Sequence, residues 1–341
     1  MQTPDDYRSL SGTVLFVGPA DRGKTTRVER AARDIAAARP AAVLDLDVGQ
    51  SEIGPPGMMD LADAVPDRPM AQWRARRQWY LGDLSPYSLP GATVAGARRL
   101  ADAAREKGAE TLLVDTASFI AGPAGPALAT ALLDALRPDA VVAVAREGEM
   151  DAWLRGVFVP VIRVAPEEAV RVKPSGLRAV CRAAKLATYF RDAAEHAVRL
   201  DEWPLRGTRL GLGEPLAASD RAAAATALGC PVVHAERAGA SVAAWTLGSP
   251  RHDPARAAAD LRARRLVTFD AAWWNNRSAG FLRPDGSCLA MALVDRVDWP
   301  SLTATVRAPV HSLAEAAVLS AGRFRHKPDG EALSSVPENM I

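Results

Sequence analysis

Residues 18–25 read Gly-Pro-Ala-Asp-Arg-Gly-Lys-Thr and match the pattern G-x-x-x-x-G-K-[ST]. In this pattern, the backbone N–H groups of the loop and the positive end of the following helix converge on phosphate oxygens. The lysine reaches the β and γ phosphates, and the hydroxyl after it ligates Mg²⁺. The sequence therefore predicts a nucleotide site. Its members are Gly18, Pro19, Ala20, Asp21, Arg22, Gly23, Lys24, Thr25 and Thr26.

The residues on either side of this loop predict the elements that hold it. Residues 14–17 are typical of a buried strand, and residues 24–39 place small and apolar side chains among arginines at helical spacing. Residues 41–47 predict a second buried strand, which completes a right-handed parallel unit. Ligands of such sheets bind beyond the carboxyl ends of the strands, so we expect Asp47 and Gln50 to face the loop. Asp45 shares the side of Asp47 but lies further inside the strand.

Three more apolar runs, at residues 111–116, 140–145 and 161–164, predict further strands, and residues 91–107 predict a helix. The predicted fold is an α/β fold of the P-loop NTPase type, a parallel sheet of five or more strands with helices on both faces. The strand at 111–116 ends in Asp115, and an aspartate at this point in a phosphate-loop protein commonly lies in the Mg²⁺ shell. The candidate metal ligands are Thr25, Asp47 and Asp115.

Two basic stretches have alternative interpretations. Residues 66–80 interleave arginines with tryptophan and tyrosine, which suits either the binding of a nucleic-acid strand or an edge strand with one solvated face. In the second stretch, Arg178 and Arg182 are four residues apart and Lys185 follows, so one face of a helix carries three cations. A solvated surface is the ordinary role of such a face.

Composition limits the class of protein. The chain has 341 residues, 48% of them hydrophobic, and a net charge of +2, so it can bury a sizeable core and has no overall basic signature. Cys181, Cys230 and Cys288 lack the spacing of a disulfide framework or a zinc site and are predicted to be reduced core thiols. The N-terminus resembles no signal peptide, and no apolar stretch has the length of a membrane span. We therefore expect a cytoplasmic protein without membrane contact.

Beyond residue 200 the pattern changes to short β-like runs separated by glycine and proline. Residues 1–195 are predicted to form the nucleotide-binding domain, and residues 196–341 a smaller β-rich domain with a loose tail from about Ser334. Trp273 and Trp274 suit either a binding surface or buried packing, and the second role is favoured. No catalytic constellation is visible in this half.

The phosphate loop, the run Leu46-Asp47-Val48-Gly49-Gln50 and a following Pro-Pro-Gly together resemble the polynucleotide 5′-hydroxyl kinase family. This family includes the kinase subunit of the pre-mRNA cleavage machinery and archaeal RNA kinases. The resemblance implies transfer of the γ-phosphate of ATP or GTP, with Mg²⁺, to the 5′-hydroxyl end of RNA, DNA or both. It names no protein partner.

The resemblance also assigns roles to residues. Asp47 would accept the proton of the 5′-hydroxyl, and Lys24, Arg178 and Arg182 would stabilise the transferring group, because residues 171–190 are similar to the family's arginine-bearing lid. Residues 82–87 are similar to its clasp, which helps to hold the nucleic-acid strand. The candidate substrate-binding residues are Gln50, Ser85, Pro86, Phe119 and Lys185.

Each of these roles has an alternative. Asp47 taken alone suits a loop cap, and Phe119 suits a core position beside the sheet. For the whole chain, the alternative function is a nucleotide-dependent switch ATPase or GTPase that acts as an interaction module. A switch requires the phosphate loop but neither a lid with paired arginines nor a clasp.

Overall fold

The computed structural model describes residues 7–120, 122–167 and 172–337. The chain divides into two compact units, Met1–Leu186 and Ala187–Ile341. Residue 171, the first of the predicted lid, and the last four residues of the predicted tail lie outside the described residues.

The first unit contains the predicted elements in the predicted order, together with a strand at Met58–Asp63 and helices at Ala124–Leu136 and Asp151–Leu154 that the sequence did not suggest. Its strands are β1 (Gly12–Val17), β2 (Ala41–Asp45), β3 (Met58–Asp63), β4 (Ala75–Tyr80), β5 (Thr111–Asp115), β6 (Ala140–Val144) and β7 (Val161–Val164). Its helices are α1 (Lys24–Ala36), α2 (Pro90–Glu106), α3 (Ala124–Leu136), α4 (Asp151–Leu154) and α5 (Ser175–Phe190), the last of which continues into the second unit.

The seven strands form one sheet in the order β4-β3-β2-β5-β1-β6-β7. The five strands from β2 to β7 in this order are parallel, as the sequence predicts, whereas β3 and β4 are antiparallel additions at one edge. The parallel order places the carboxyl ends of β1, β2 and β5 side by side. The basic stretch that ends in β4 therefore includes the edge strand that was one of its two predicted roles.

Helices cover both faces of this sheet, which confirms the predicted fold class. Successive side chains of a strand point to opposite faces. On β1, Leu15 packs in a cluster with Leu100 of α2 and Leu132 of α3, while Phe16 packs with Ile35 of α1. Burial of each such side chain contributes about 1.5–3 kcal/mol relative to exposure. The alternation holds β1, and so the loop that follows it, between two apolar layers.

The second unit is rich in strands. They are β8 (Ala194–Arg199), β9 (Leu205–Arg206), β10 (Glu214–Pro215), β11 (Val232–Ala238), β12 (Ser241–Thr246), β13 (Arg265–Asp270), β14 (Arg277–Leu282), β15 (Cys288–Asp298), β16 (Thr303–Ala308), β17 (Val318–His326) and β18 (Ala332–Leu333). One sheet has the order β10-β11-β12-β13, and a second has the order β18-β17-β14-β15-β16-β8, with β9 paired to β17. Two alanine-rich helices that the sequence did not suggest, α6 (Ala218–Leu228) and α7 (Pro254–Asp260), complete the unit.

Aromatic side chains fill the core of the second unit. Trp274 is buried in a cluster with Trp245 and Phe281, which confirms the packing role predicted for it. Trp273 is half-buried, and the Arg325 guanidinium lies 4.9 Å from the centre of its ring.

Two smaller predictions are wrong. Cys181 is exposed on α5 rather than a core thiol, although Cys230 and Cys288 are buried as predicted. The tail is not loose in its described part, because Val336 is buried and its N–H donates to the Arg323 carbonyl at 2.7 Å. Among the described helices, none has the length and apolar character needed to cross a bilayer.

Candidate active site

A cavity of about 420 Å³ lies beside the phosphate loop in the first unit. It contains seven of the nine residues that the sequence predicts for the nucleotide site, together with eight from elsewhere in the first unit. Its described lining is Pro19, Asp21, Arg22, Gly23, Lys24, Thr25, Thr26, Glu29, Asp47, Gln50, Glu52, Ser118, Glu167, Lys173 and Arg178. The fold therefore brings Asp47, Gln50 and Arg178 to one space with the loop.

The phosphate loop has the backbone geometry that its glycines permit. Gly23, at the N-cap of α1, has a φ of 78° in the left-handed region. At Gly18 an added Cβ would lie only 2.3 Å from the carbonyl oxygen of Val144, so no larger residue fits there. Asp21 also has a positive φ, 54°, which aspartate tolerates better than most residues. The loop thus presents α1 with its N-terminus open towards the cavity.

Lys24 is paired to Asp115 at the base of the cavity. Its ammonium lies 2.6 Å from the Oδ1 atom of Asp115, and both side chains are buried. Burial alone would lower the pKa of Lys24, but Asp115, Asp47 and Asp45 outweigh that effect and raise the pKa above its usual value. Lys24 therefore keeps its positive charge at neutral pH.

Three carboxylates belong to this region. Asp45 and Asp115 are directly opposite each other in the register of β2 and β5, and Asp47 follows β2 by two residues. Burial raises the pKa of Asp47, and Asp115 adds to this, while Lys24 opposes it. A carboxylate with a raised pKa is a stronger base, so Asp47 has the property that proton acceptance requires.

Asp115 leaves one oxygen available for a cation. Its Oδ2 atom is buried and has no hydrogen-bond partner. An orphaned acceptor of this kind is uncommon in folded proteins and costs free energy unless a ligand satisfies it. Among the described residues no group of three or more metal-ligating side chains is present. The orphaned Oδ2 atom of Asp115 suits Mg²⁺, which proteins usually hold with one or two carboxylates while phosphates and waters supply the other ligands.

Helix α5 contacts both the phosphate loop and the loop after β2. The Arg178 guanidinium pairs with Asp21 at 2.5 Å, and the Gln50 side chain donates to the Arg178 carbonyl at 3.4 Å. The Lys185 ammonium donates to the Ser51 carbonyl and lies 3.2 Å from Glu52. Lys185 is absent from the described cavity lining, but its partner Glu52 belongs to that lining.

The two lid arginines differ in their surroundings. Arg178 lines the cavity, whereas Arg182 lies one turn further along α5 and is half-buried outside the described lining. No ion pair joins Arg182 to another described residue. The structure therefore brings one of the two predicted arginines to the phosphate loop.

Arg22, although part of the phosphate loop, is paired to Glu149 by two hydrogen bonds of its Nε atom, at 2.9 and 3.1 Å. The loop is thereby tied to the segment that precedes α4. Sequence reasoning did not suggest this partner, because Glu149 lies far away in the chain and belongs to no pattern.

The predicted clasp lies against the loop after β2. An added Cβ at Gly49 would meet the Leu84 carbonyl at 2.8 Å, so the two segments are in direct contact. Ser85 is half-buried with its N–H on Asp83 Oδ1 at 3.0 Å, and Pro86 is buried. Neither Ser85 nor Pro86 belongs to the described cavity lining.

Phe119 packs beside the sheet. Its ring centre lies 5.7 Å from that of Trp153, and its side chain packs against the core cluster of β1 and α2. These contacts correspond to the core alternative given for it above. Its N–H donates to the Gly18 carbonyl at 2.8 Å, which joins the segment after β5 to the phosphate loop. Gly18 and Ala20, like Phe119 and Asp115, are absent from the described lining.

Sequence reasoning missed four cavity residues that carry charge: Glu29, Glu52, Glu167 and Lys173. Glu29 could have been found, because it is one helical turn after Thr25 and shares its face. Lys173 lies within residues 171–190, the predicted lid, although no role was assigned to it. The other two carry no local signal.

Comparisons with known proteins show which chains this protein resembles. A model of the mRNA cleavage and polyadenylation factor CLP1 P-loop matches residues 18–192. The chain is 27% identical over 327 residues to a polyribonucleotide 5′-hydroxyl-kinase of Thermococcus kodakarensis, across 94% of this chain and 90% of that protein. It is 24% identical over 333 residues to the enzyme of the same name from Pyrococcus furiosus, across 96% and 91% of the two chains.

Among solved structures, wild-type Clp1p in its complex with Pcf11p superposes with a TM-score of 0.62 over 93% of this chain and 75% of that chain. The identity is 12%, so this likeness concerns the fold alone. The family model covers the phosphate loop, the loop after β2, Asp115 and most of α5. The protein therefore belongs to the CLP1 P-loop family of nucleotide-binding proteins.

Proposed function

We propose that this protein is a polynucleotide 5′-hydroxyl kinase, which transfers the γ-phosphate of ATP or GTP to the 5′-hydroxyl end of RNA. The observation that carries the proposal is that Asp47, a carboxylate with a raised pKa, lines the same cavity as Lys24 and Arg178. The relatives named above support RNA as the acceptor, since each is a polyribonucleotide kinase by name.

The phosphate loop binds the nucleotide. The backbone N–H groups before α1 and the Lys24 ammonium bind the phosphates, while Thr25 and Thr26 lie at the same opening. On binding, the triphosphate competes with Asp115 for Lys24 and with Asp21 for Arg178, because each cation is already paired to a carboxylate. Both ion pairs keep the cations ordered before the substrate arrives.

Asp47 accepts the proton of the 5′-hydroxyl. The 5′-hydroxyl of the acceptor must approach the γ-phosphate in line with the bond that breaks, and a carboxylate within hydrogen-bond reach then takes its proton. Asp47 lines the cavity next to Gln50, whose N–H donates to Asp47 Oδ1 at 3.1 Å and fixes that oxygen.

Charge on the transferring group is stabilised by Lys24 and Arg178, and Arg182 joins them if α5 closes further over the cavity. An arginine at this point contributes roughly three to five powers of ten in rate in related phosphoryl transfers. Thr25, Asp115 through its orphaned Oδ2 atom, and Asp47 are the residues that would hold Mg²⁺. When bound, Mg²⁺ neutralises charge on the β and γ phosphates.

The test is transfer of labelled γ-phosphate from ATP or GTP to single-stranded RNA and DNA oligonucleotides with a 5′-hydroxyl. The same strands with a 5′-phosphate are the control. Label on the hydroxyl ends alone is expected, with RNA preferred, and it is expected to disappear with EDTA. Absence of label on both strands, with nucleotide binding retained, would contradict the proposal and favour a nucleotide-dependent switch.

A further inference from the structure

Asp45, the last residue of β2, is almost fully buried, and four donors from one loop bind its carboxylate. Its Oδ1 atom accepts the N–H of Asp47 at 3.0 Å. Its Oδ2 atom accepts the N–H of Glu52 at 2.8 Å, the Ser51 hydroxyl at 3.0 Å and the N–H of Ile53 at 3.4 Å. One side chain therefore binds both ends of the segment 47–53, which we call the acceptor loop.

The position of the Asp47 carboxylate depends on this loop. Asp47 Oδ1 accepts the N–H of Gln50, so the side chain of Asp47 is held by the backbone of the residues that follow it. On its other side the loop meets α5 through Gln50 and through Lys185, which donates to the Ser51 carbonyl. The acceptor loop is thus bound on one side by Asp45 at the end of β2 and on the other side by α5, the helix of the predicted lid.

We propose that Asp45 is a positioning residue, which fixes the acceptor loop so that the Asp47 carboxylate meets the 5′-hydroxyl of the acceptor. The inference rests on the proposed function, because it gives Asp45 a role in that reaction. Asp45 is absent from the described lining of the cavity, so it acts through the loop and not on the substrate. A misplacement of about 1 Å can cost roughly a hundredfold in rate, which makes such a loop sensitive to its support.

The acceptor loop donates to both oxygens of Asp45, which favours its carboxylate form, although burial and the neighbouring Asp115 raise the pKa of Asp45 to about 8. Each of its two oxygens accepts an N–H from the loop, so both positions must be acceptors. An asparagine has one oxygen and one NH₂ group, and the NH₂ group would face a donor whichever way the side chain is turned. Asp45→Asn therefore preserves the shape of the side chain but breaks one end of the loop support.

Asp60 on β3 provides a matched control. It is fully buried like Asp45, and the Ser51 hydroxyl lies 3.2 Å from its Oδ2 atom. Its other oxygen accepts the Gln78 side chain at 2.6 Å. The backbone group that binds it is that of Gly54, just after the acceptor loop, and among the described hydrogen bonds it accepts no N–H from residues 47–53. Asp60→Asn thus changes a buried carboxylate of the same network but leaves the hydrogen bonds between Asp45 and the acceptor loop in place.

The first experiment measures steady-state transfer to a 5′-hydroxyl RNA oligonucleotide for the wild type, Asp45→Asn and Asp60→Asn, with active sites counted by nucleotide titration. For Asp45→Asn we expect kcat to fall roughly 10- to 100-fold with little change in KM or in nucleotide affinity. For Asp60→Asn we expect kcat within about threefold of the wild type, even where its stability falls. Equal kcat in Asp45→Asn and the wild type, or equal losses in the two variants, would overturn the inference.

The second experiment needs no variant. Amide hydrogen exchange of the wild-type protein, resolved by residue, should show protection at Asp47, Glu52 and Ile53, because their N–H groups are bound to Asp45. Exchange at these three amides as fast as in an unbonded surface loop would overturn the inference even if Asp45→Asn does not fold. A wild type that protects these amides but transfers no label would refute the proposed function instead.

Discussion

The Lys24 ammonium lies 2.6 Å from Oδ1 of Asp115, and the two side chains are only 6% and 1% exposed. The pair joins the residue expected to bind the triphosphate to the residue expected to lie in the Mg²⁺ shell. Since the second oxygen of Asp115 has no partner, Lys24 supplies the only charge compensation that the described residues give to this carboxylate by direct contact. Both the stability of the protein and its activity are therefore expected to depend on this one ion pair.

Lys24→Ala is expected to abolish phosphoryl transfer and to destabilise the protein without preventing folding. Removal of one partner of a buried ion pair costs about 3–5 kcal/mol, because it leaves an uncompensated charge. Adding Asp115→Asn to the same chain should restore part of that free energy while transfer stays absent. Urea unfolding of the three proteins measures both changes, and a double variant less stable than Lys24→Ala would argue against the ion pair.

Asp47→Asn is expected to lower kcat by roughly two to four powers of ten, because the amide cannot accept the proton of the 5′-hydroxyl. Nucleotide affinity should change little. Asp63→Asn serves as the control, since Asp63 is an exposed aspartate at the end of β3. Initial rates of label transfer measure the effect, and full activity in Asp47→Asn would remove this residue as the base.

Arg178→Ala is expected to lower kcat by about three powers of ten or more, because the guanidinium stabilises charge on the transferring group. Arg182→Ala should lower kcat without altering the affinity of the protein for nucleotide, since Arg182 does not line the described cavity. Equilibrium titration with ATP and single-turnover transfer separate the two effects. Unchanged kcat in both variants would contradict the lid.

Asp21→Asn is expected to tighten ATP binding roughly two- to fivefold, the scale of a partly exposed ion pair. The substitution removes a negative charge beside the triphosphate and releases Arg178, while asparagine tolerates the left-handed backbone of this position. Asp151→Asn, which breaks an exposed pair with Arg163 outside the described cavity lining, should leave the dissociation constant unchanged. Weaker ATP binding in Asp21→Asn would show that Asp21 supports the loop instead.

Gly18→Ala is expected to disrupt nucleotide binding, because its Cβ would lie 2.3 Å from the Val144 carbonyl oxygen. Gly91→Ala is the matched control. Gly91 lies in the first turn of α2 and has no atom within 4 Å of an added Cβ. Titration with a fluorescent nucleotide compares the two variants, and normal binding in Gly18→Ala would mean that β1 and β6 can move apart at this point.

The stability of the protein should depend on pH through Asp60. Burial raises the pKa of Asp60 to about 6 from its ordinary value of 3.8, although hydrogen bonds from Gln78 and Ser51 oppose the rise. Between these two pH values the folded protein binds a proton that the unfolded chain has lost, so the free energy of unfolding falls as pH rises. Above about pH 6 the effect is complete.

The difference in unfolding free energy between the wild type and Asp60→Asn isolates this group. Relative to Asp60→Asn, the wild type should lose about 3 kcal/mol of unfolding free energy between pH 4 and pH 7, because the pKa shift is about two units. Urea denaturation at intervals of half a pH unit measures it. A difference that stays constant over this range would mean that the pKa of Asp60 is unshifted.

The phosphate loop, the parallel strands around it and the residues that follow their carboxyl ends could all be predicted from the sequence. Each of these can be recognised within a short span of the chain, because apolar runs, helical spacing and the glycines of a tight loop are local signals. Strand order then places Lys24, Asp47 and Asp115 at one edge of the sheet. That part of the site could be predicted from general rules for parallel sheets.

The tertiary structure alone decided which charges neutralise each other. Arg22 pairs with Glu149, Lys24 with Asp115 and Arg178 with Asp21, and these partners are separated by 127, 91 and 157 residues. Asp45 was only a weak candidate in the sequence, yet its carboxylate holds the acceptor loop. The physical reason is that a pairing of side chains depends on distance and desolvation in the folded chain, and neither leaves a periodic pattern along the sequence.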